Sequence, residues 1–137
     1  MGMIFEVPGE PRGKGRPRFT KTGHTYTDSE TKAYEDKIIA YYRRSFGGYK
    51  WSDAAYISVK VIAHYPIPKS ATKAAVAAMQ AGSVLPTRKP DIDNVLKVVL
   101  DALNGIAYKD DSRVVDIQGK KVYSDTPKIV IEIDGRS

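Results

Sequence analysis

The sequence predicts an α+β fold, a mixed β-sheet packed with helices in the order βαβααββ, formed as a single domain over residues 1–137. Three observations carry that expectation. Residues 54–65 and 128–134 alternate apolar and polar side chains with the two-residue period of a half-buried strand. Residues 92–103 instead bring Ile92, Leu96, Val99, Leu100 and Leu103 onto one face of a helix. Turn-forming residues separate such segments and no internal repeat or linker interrupts them, so strands and helices are expected around one core.

Taken in order, residues 3–7 read as a short strand stopped by Pro8. Residues 9–23 are a Gly- and Pro-rich loop that carries Arg12, Lys14, Arg16, Arg18 and Lys21 against one acid, Glu10. Cations spaced along an extended, proline-stiffened segment suit a phosphate backbone, which makes these five the candidate DNA-binding residues. Phe19, His24 and Tyr26 stand nearby for stacking on bases. The plainer alternative is a solvated basic loop. Thr27 and Glu30 have the form of a capping box, opening a helix with the stripe Tyr34, Ile38, Tyr41 and Tyr42 and a stop at Gly47-Gly48.

The next strand turns Ile57, Val59, Val61, Ala63 and Tyr65 inward and leaves His64 on the polar face, where a lone histidine is weak evidence for a ligand. Ser70 is expected to cap an alanine-rich helix that ends at Gly82. Residues 83–90 deliver Arg88 and Lys89, two further candidate DNA contacts, beside the first aspartate of the next helix. Residues 114–123 read as a strand with a bulge at Gly119, and residues 124–127 as a hairpin turn into the last strand.

Composition bounds the function. Apolar residues make up 42% and charged residues 28%, as in a soluble globular protein. The absence of cysteine excludes disulfides, thiolate catalysis and Cys-type zinc sites. No apolar run has the length of a membrane span and no signal-peptide pattern opens the chain, so a cytoplasmic location and no membrane partner are expected. Twenty-two Lys and Arg against sixteen Asp and Glu leave a net charge of +6, which favours a polyanionic partner.

The densest chemistry lies in Asp91-Ile92-Asp93-Asn94 and its continuation through Lys97 and Asp101 to Asp110-Asp111. Pro90 fits a helix entry and Asn104-Gly105 a left-handed stop, which puts Asp91 and Asp93 in the first turn. Free N–H groups and the helix dipole favour acids there, so capping explains one of them without any function. Asp93, Lys97 and Asp101 share a face, readable either as a salt-bridged stripe or as a metal site with a cation beside it. An EF-hand loop is excluded, because Leu96 and Ala102 stand where glycine and glutamate are required. The DxD of phosphatases and sugar transferases follows a hydrophobic strand, whereas Arg88-Lys89-Pro90 precedes this one, and nothing suggests a saccharide groove. A Mg²⁺ site, built from few carboxylates with water and phosphate oxygens, fits best.

The run from Lys89 through Asp91, Asp93 and Lys97, then Asp101-Ala102-Leu103, then Asp110-Asp111 before Val114-Val115, resembles RusA-type Holliday-junction endonucleases. The segment from Pro8 to Arg18, with its Gly-Lys-Gly-Arg-Pro-Arg, is similar to the branch of that family found in prophages and bacteria. The resemblance spans nearly the whole chain. It implies a homodimeric, Mg²⁺-dependent nuclease, with Mn²⁺ able to substitute, that resolves four-way DNA junctions by paired nicks. It further implies that Asp91, Asp93 and Asp111 bind the metal and that Lys97 is catalytic. Some members carry a basic residue directly before the first aspartate; here Pro90 stands there and Lys89 one place earlier. Whether Asp110 or Asp101 assists is open at this level. The competing function is a non-catalytic basic DNA-binding protein of phage origin, its acids serving as caps and ion pairs. Apolar Val95, Val98 and Ala102 widen the central helix's buried side, leaving a second face for the alanine-rich helix or a symmetric copy.

Overall fold

The computed structural model describes residues 2–15 and 18–136, apart from the side chains of residues 18, 19 and 26. Strand β1 (Gly2–Pro8) is followed by a small antiparallel pair, β2 (Arg18–Phe19) and β3 (Thr25–Tyr26), and then by helix α1 (Ser29–Phe46). The chain continues through β4 (Tyr56–Pro66), α2 (Lys73–Gln80), α3 (Ile92–Leu103), a 3-10 turn (Asp111–Arg113), β5 (Val114–Ser124) and β6 (Lys128–Arg136). With the two-residue pair set aside, this is the expected βαβααββ order and α+β class. Among the described residues no helix is long and apolar enough to cross a membrane.

The main sheet has the strand order β1-β6-β4-β5. β4 and β5 run parallel, while β6 is antiparallel to both β4 and β1. Residues 124–127 therefore do not close a hairpin: the chain leaves β5, passes β4 and inserts β6 between β4 and β1. The side chains give the reason. Ile129, Ile131 and Ile133 are fully buried and belong on an inner strand, whereas most of β5 is exposed and suits an edge. β4 keeps the expected alternation, with Ile57, Val59, Val61, Ala63 and Tyr65 all buried.

α1 and α3 pack against each other and contribute to the same core as the inward face of the sheet. The buried side of α3 is Val95, Val98, Val99, Ala102 and Leu103, while Ile92, Leu96 and Leu100 are half-buried at its margin. The expected stripe was thus off by part of a turn, because α3 meets two neighbours rather than one. Its second apolar flank is taken by α1, and neither the alanine-rich helix nor a further copy is needed to cover it. Gly119 forms no bulge; the register slips instead at Ile57/Ser58, leaving Val115 without a partner. What Gly119 supplies is room, since a Cβ there would lie 2.8 Å from Ile92 Cγ1 and 3.0 Å from Leu96 Cδ1.

Two caps also move. α1 is capped by Asp28 rather than Thr27, its two oxygens accepting from the Thr31 N–H at 2.9 Å and the Thr31 hydroxyl at 2.7 Å. α2 starts at Thr72 rather than Ser70, and no residue of this eight-residue helix is buried. α3 stops where expected, with Gly105 at φ 76°.

Candidate active site

Pro90 and Asp91 precede the first turn of α3, and Asp91 is its N-cap by backbone geometry. The Asp91 side chain makes no capping hydrogen bond, and Asp93 in the first turn is exposed. The pure capping explanation therefore fails for Asp91: its backbone caps, but its carboxylate is left available. Among the described residues no ion pair joins Asp93 to Lys97, which is exposed one turn later. The helix start is held from below by Tyr65, whose hydroxyl donates to the Pro90 carbonyl and whose burial pushes its pKa up to about 12. The Lys121 ammonium fixes the preceding loop by donating to the Arg88 carbonyl at 2.6 Å.

Asp111 has a different environment. The fully buried Tyr108 hydroxyl lies 3.1 Å from both the Leu100 carbonyl and Asp111 Oδ1, so one proton serves two acceptors. Burial, then the neighbouring acid Asp111, raises the Tyr108 pKa, so it stays a donor. Partial burial raises the Asp111 pKa, the Tyr108 hydrogen bond works against this, and Asp101 and Asp110 add to the rise. Asp110 caps the 3-10 turn by accepting from the Ser112 N–H at 3.1 Å, and the Ser112 hydroxyl first, then this N–H, lower its pKa. Asp111 thus stands by the last turns of α3, next to Asp101. Eight residues separate Asp93 from Asp101, about 12 Å along a helix axis.

Among the described residues no three carboxylate or imidazole side chains lie close enough to hold one ion. Asp91, Asp93 and Asp111 are not gathered into a closed cage. The donor chemistry nonetheless fits a hard cation, because Mg²⁺ takes one or two carboxylates and keeps water and phosphate oxygens as its other ligands. Asp91 and Asp93, two positions apart at the start of α3, supply carboxylates of that chemistry.

The cations divide into two groups. Arg12 and Lys89, both exposed, line a groove of about 720 Å³ together with Asp91, Asn94, Tyr34 and Glu30. Lys21 is exposed in the turn between β2 and β3. Arg88 is half-engaged, its guanidinium 5.6 Å from the Tyr65 ring centre and 3.6 Å from Glu10 Oε1. Lys14 points inward: its ammonium lies 2.9 Å from Glu35 Oε2 and 3.1 Å from Asp101 Oδ2. Arg16 and the side chains of Arg18, Phe19 and Tyr26 lie outside the described residues.

Sequence reasoning missed Tyr108, Tyr65 and Glu35. Tyr65 was legible as an inward residue at the end of its strand, beside the loop that leads to Asp91. Nothing in the sequence marks Glu35, a buried acid amid a tyrosine stripe.

Residues 8–134 match the family model described as endodeoxyribonuclease RusA. The chain is also 36% identical over 132 residues to the uncharacterized protein YqaN of Bacillus subtilis (strain 168), an alignment covering 94% of this chain and 93% of that one.

Proposed function

Because the chain belongs to the RusA endodeoxyribonuclease family, we propose that it resolves four-way DNA junctions by Mg²⁺-dependent hydrolysis of one phosphodiester bond on each of two opposed strands. The observation that carries the reading is the uncommitted Asp91 carboxylate at the start of α3, beside Asp93 and a groove lined by Arg12 and Lys89. Asp91 and Asp93 would hold the ion; Asp111, which accepts from Tyr108 toward the far end of α3, would be the third acid of the family pattern. A bound Mg²⁺ supplies Lewis-acid polarisation of the phosphate and a water of lowered pKa. Lys97, one turn beyond Asp93, meets the negative charge that develops on the phosphate and the leaving oxygen. Arg12 and Lys89 would hold the flanking phosphates, with Arg88 at their border, exposed Lys21 as a further contact, and Arg16 and Arg18 as candidates by sequence alone.

Two matched nicks call for two sites, which a twofold homodimer of the 15.1 kDa chain supplies. The open edge of β5, where Val115 is 56% and Ile117 40% exposed, supports such an assembly. Sedimentation at micromolar concentration is expected to give the dimer; a stable monomer that still makes paired nicks sinks it.

A second reading, a non-catalytic DNA-binding protein, is favoured by the absence of a closed acid cage among the described residues. Incubation of a synthetic four-way junction with Mg²⁺ or with EDTA separates the two. Metal-dependent nicking is expected, and binding without nicking selects the second reading. Lys97→Ala should lose turnover with junction affinity retained; a loss confined to affinity makes Lys97 a backbone contact.

A further inference from the structure

Lys14 of the basic loop lines the groove together with Arg12, yet its ammonium is paired with acids of the fold. Lys14 reaches from the loop to α1 and α3 at once, pairing with Glu35 of the first and Asp101 of the second. Its side chain is 15% exposed and that of Glu35 11%, so the pairing is an internal one. Burial opposes the charged ammonium, but the hydrogen bonds it donates to Glu35 and Asp101 outweigh it and raise the Lys14 pKa above the ordinary lysine value.

The backbone on either side is fastened in the same two directions. The Lys14 N–H donates to the Asn94 carbonyl of α3 at 3.1 Å, and the Gly15 N–H donates to the Thr31 hydroxyl of α1 at 3.0 Å. That Thr31 hydroxyl in turn donates to Asp28, the cap of α1. Both flanking glycines are required by close approach. A Cβ on Gly13 would sit 2.9 Å from Asn94 Cβ, and one on Gly15 would sit 2.1 Å from Asp28 Oδ2. Gly13-Lys14-Gly15 is therefore a strip of chain pressed into the seam between two helices, with the lysine as its pin. An ion triad in such a place is a poor source of stability but a good source of registry, since it is satisfied in one arrangement only.

We propose that Lys14 is a positioning residue: by pinning the loop to Glu35 and Asp101 it fixes Arg12 and the groove against the Asp91 end of α3, and it makes no contact with DNA. The assignment of the groove to cutting rests on the nuclease reading; the pin itself does not.

The test uses the full-length protein and Lys14→Met. Hydrogen exchange at the amides of positions 14 and 15 should speed up by about tenfold or more, as local opening becomes easier. Single-turnover cutting of a pre-bound four-way junction should fall by a similar factor. The slope of log affinity against log salt should stay at the wild-type value, because a lost phosphate contact would flatten it by about 0.9. Combining Lys14→Met with Glu35→Gln and Asp101→Asn removes the uncompensated acids and should restore much of the protection and the cutting. If Lys14→Met alone does not fold, the triple variant, which lacks the Lys14 charge and leaves no unpaired acid, carries the slope measurement. A slope flattened by about one with unchanged exchange overturns the proposal and makes Lys14 a phosphate ligand. Unchanged exchange with unchanged slope overturns it too. A wild-type protein that neither binds nor cuts a junction ends the nuclease reading, and the exchange comparison alone then decides the pin.

Discussion

At the start of α3 the Asp91 carboxylate lines a groove without a capping bond and the exposed Asp93 makes no ion pair to Lys97, whereas at the far end Asp101 and Asp111 are held by Lys14 and Tyr108. The residue type is the same and the conditions are opposite. At the far end Asp101 is tied into the seam that joins α1, α3 and the basic loop and Asp111 accepts from Tyr108, so their lone pairs are partly used in building the fold. At the near end the neighbours that do the holding are Tyr65 and Lys121, and they grip carbonyl oxygens rather than carboxylates. The backbone is fixed while the acid oxygens are left open, an arrangement suited to receiving a cation and a phosphate.

The largest effect expected from breaking this asymmetry is at the near end. Asp91→Asn or Asp93→Asn should reduce cutting by roughly 10²–10³-fold, the scale seen when one stabiliser of transition-state charge is removed. Each should change folding stability by less than about 0.5 kcal/mol, since neither carboxylate supports the fold. The stabilisation of the wild-type protein by Mg²⁺ in a melting experiment should also shrink in both variants. A variant that cuts at the wild-type rate was never a ligand.

Next comes the support beneath the near end. Gly119→Val forces Ile92 and Leu96 aside and should cost about 1–3 kcal/mol of stability, as overpacking does. Cutting per folded molecule should fall as well, because the first turn of α3 is displaced. Denaturant titration paired with junction cutting checks this, and a stability loss with undiminished turnover would detach the catalytic centre from that end.

A smaller effect follows from the groove cations. Arg12→Gln with Lys89→Gln should flatten the salt slope by about 1.8, two phosphate contacts at about 0.9 each, without preference among DNA sequences. An unchanged slope leaves the groove a solvated surface.

The smallest effect tests the far end. The Asp111 pKa is raised above 3.8, chiefly by burial, so the folded chain binds its proton more tightly than the unfolded chain. Stability is therefore lost as pH rises from 3.8 through the raised folded value, and the ionised carboxylate is a fixed cost above that window. Asp111→Asn should melt at a slightly higher temperature than wild type at neutral pH, with the gain vanishing below about pH 3. A variant of lower melting temperature at neutral pH would show that the Tyr108 contact outweighs the burial of the charge.

By itself the sequence determined the main strands and helices, since two-residue and helical periodicities are local and survive any tertiary arrangement. It also determined the inward row of β4, the stop at Gly105 and the family motif that spans Asp91 to Asp111. Only the tertiary structure decided that β6 enters between β1 and β4, because that order depends on which strand has two buried flanks. The tertiary structure also decided which cations are free. Lys14 and Arg12 are two residues apart in the same basic loop and are indistinguishable by composition. Both line the groove, but the Lys14 ammonium is turned into the seam between α1 and α3 by Glu35 and Asp101, while Arg12 is exposed. Glu35 and Asp101 lie 21 and 87 positions from Lys14, and no local pattern encodes a partner at that range. A charge acts on whatever the fold brings near it, and that is settled only when the helices have packed.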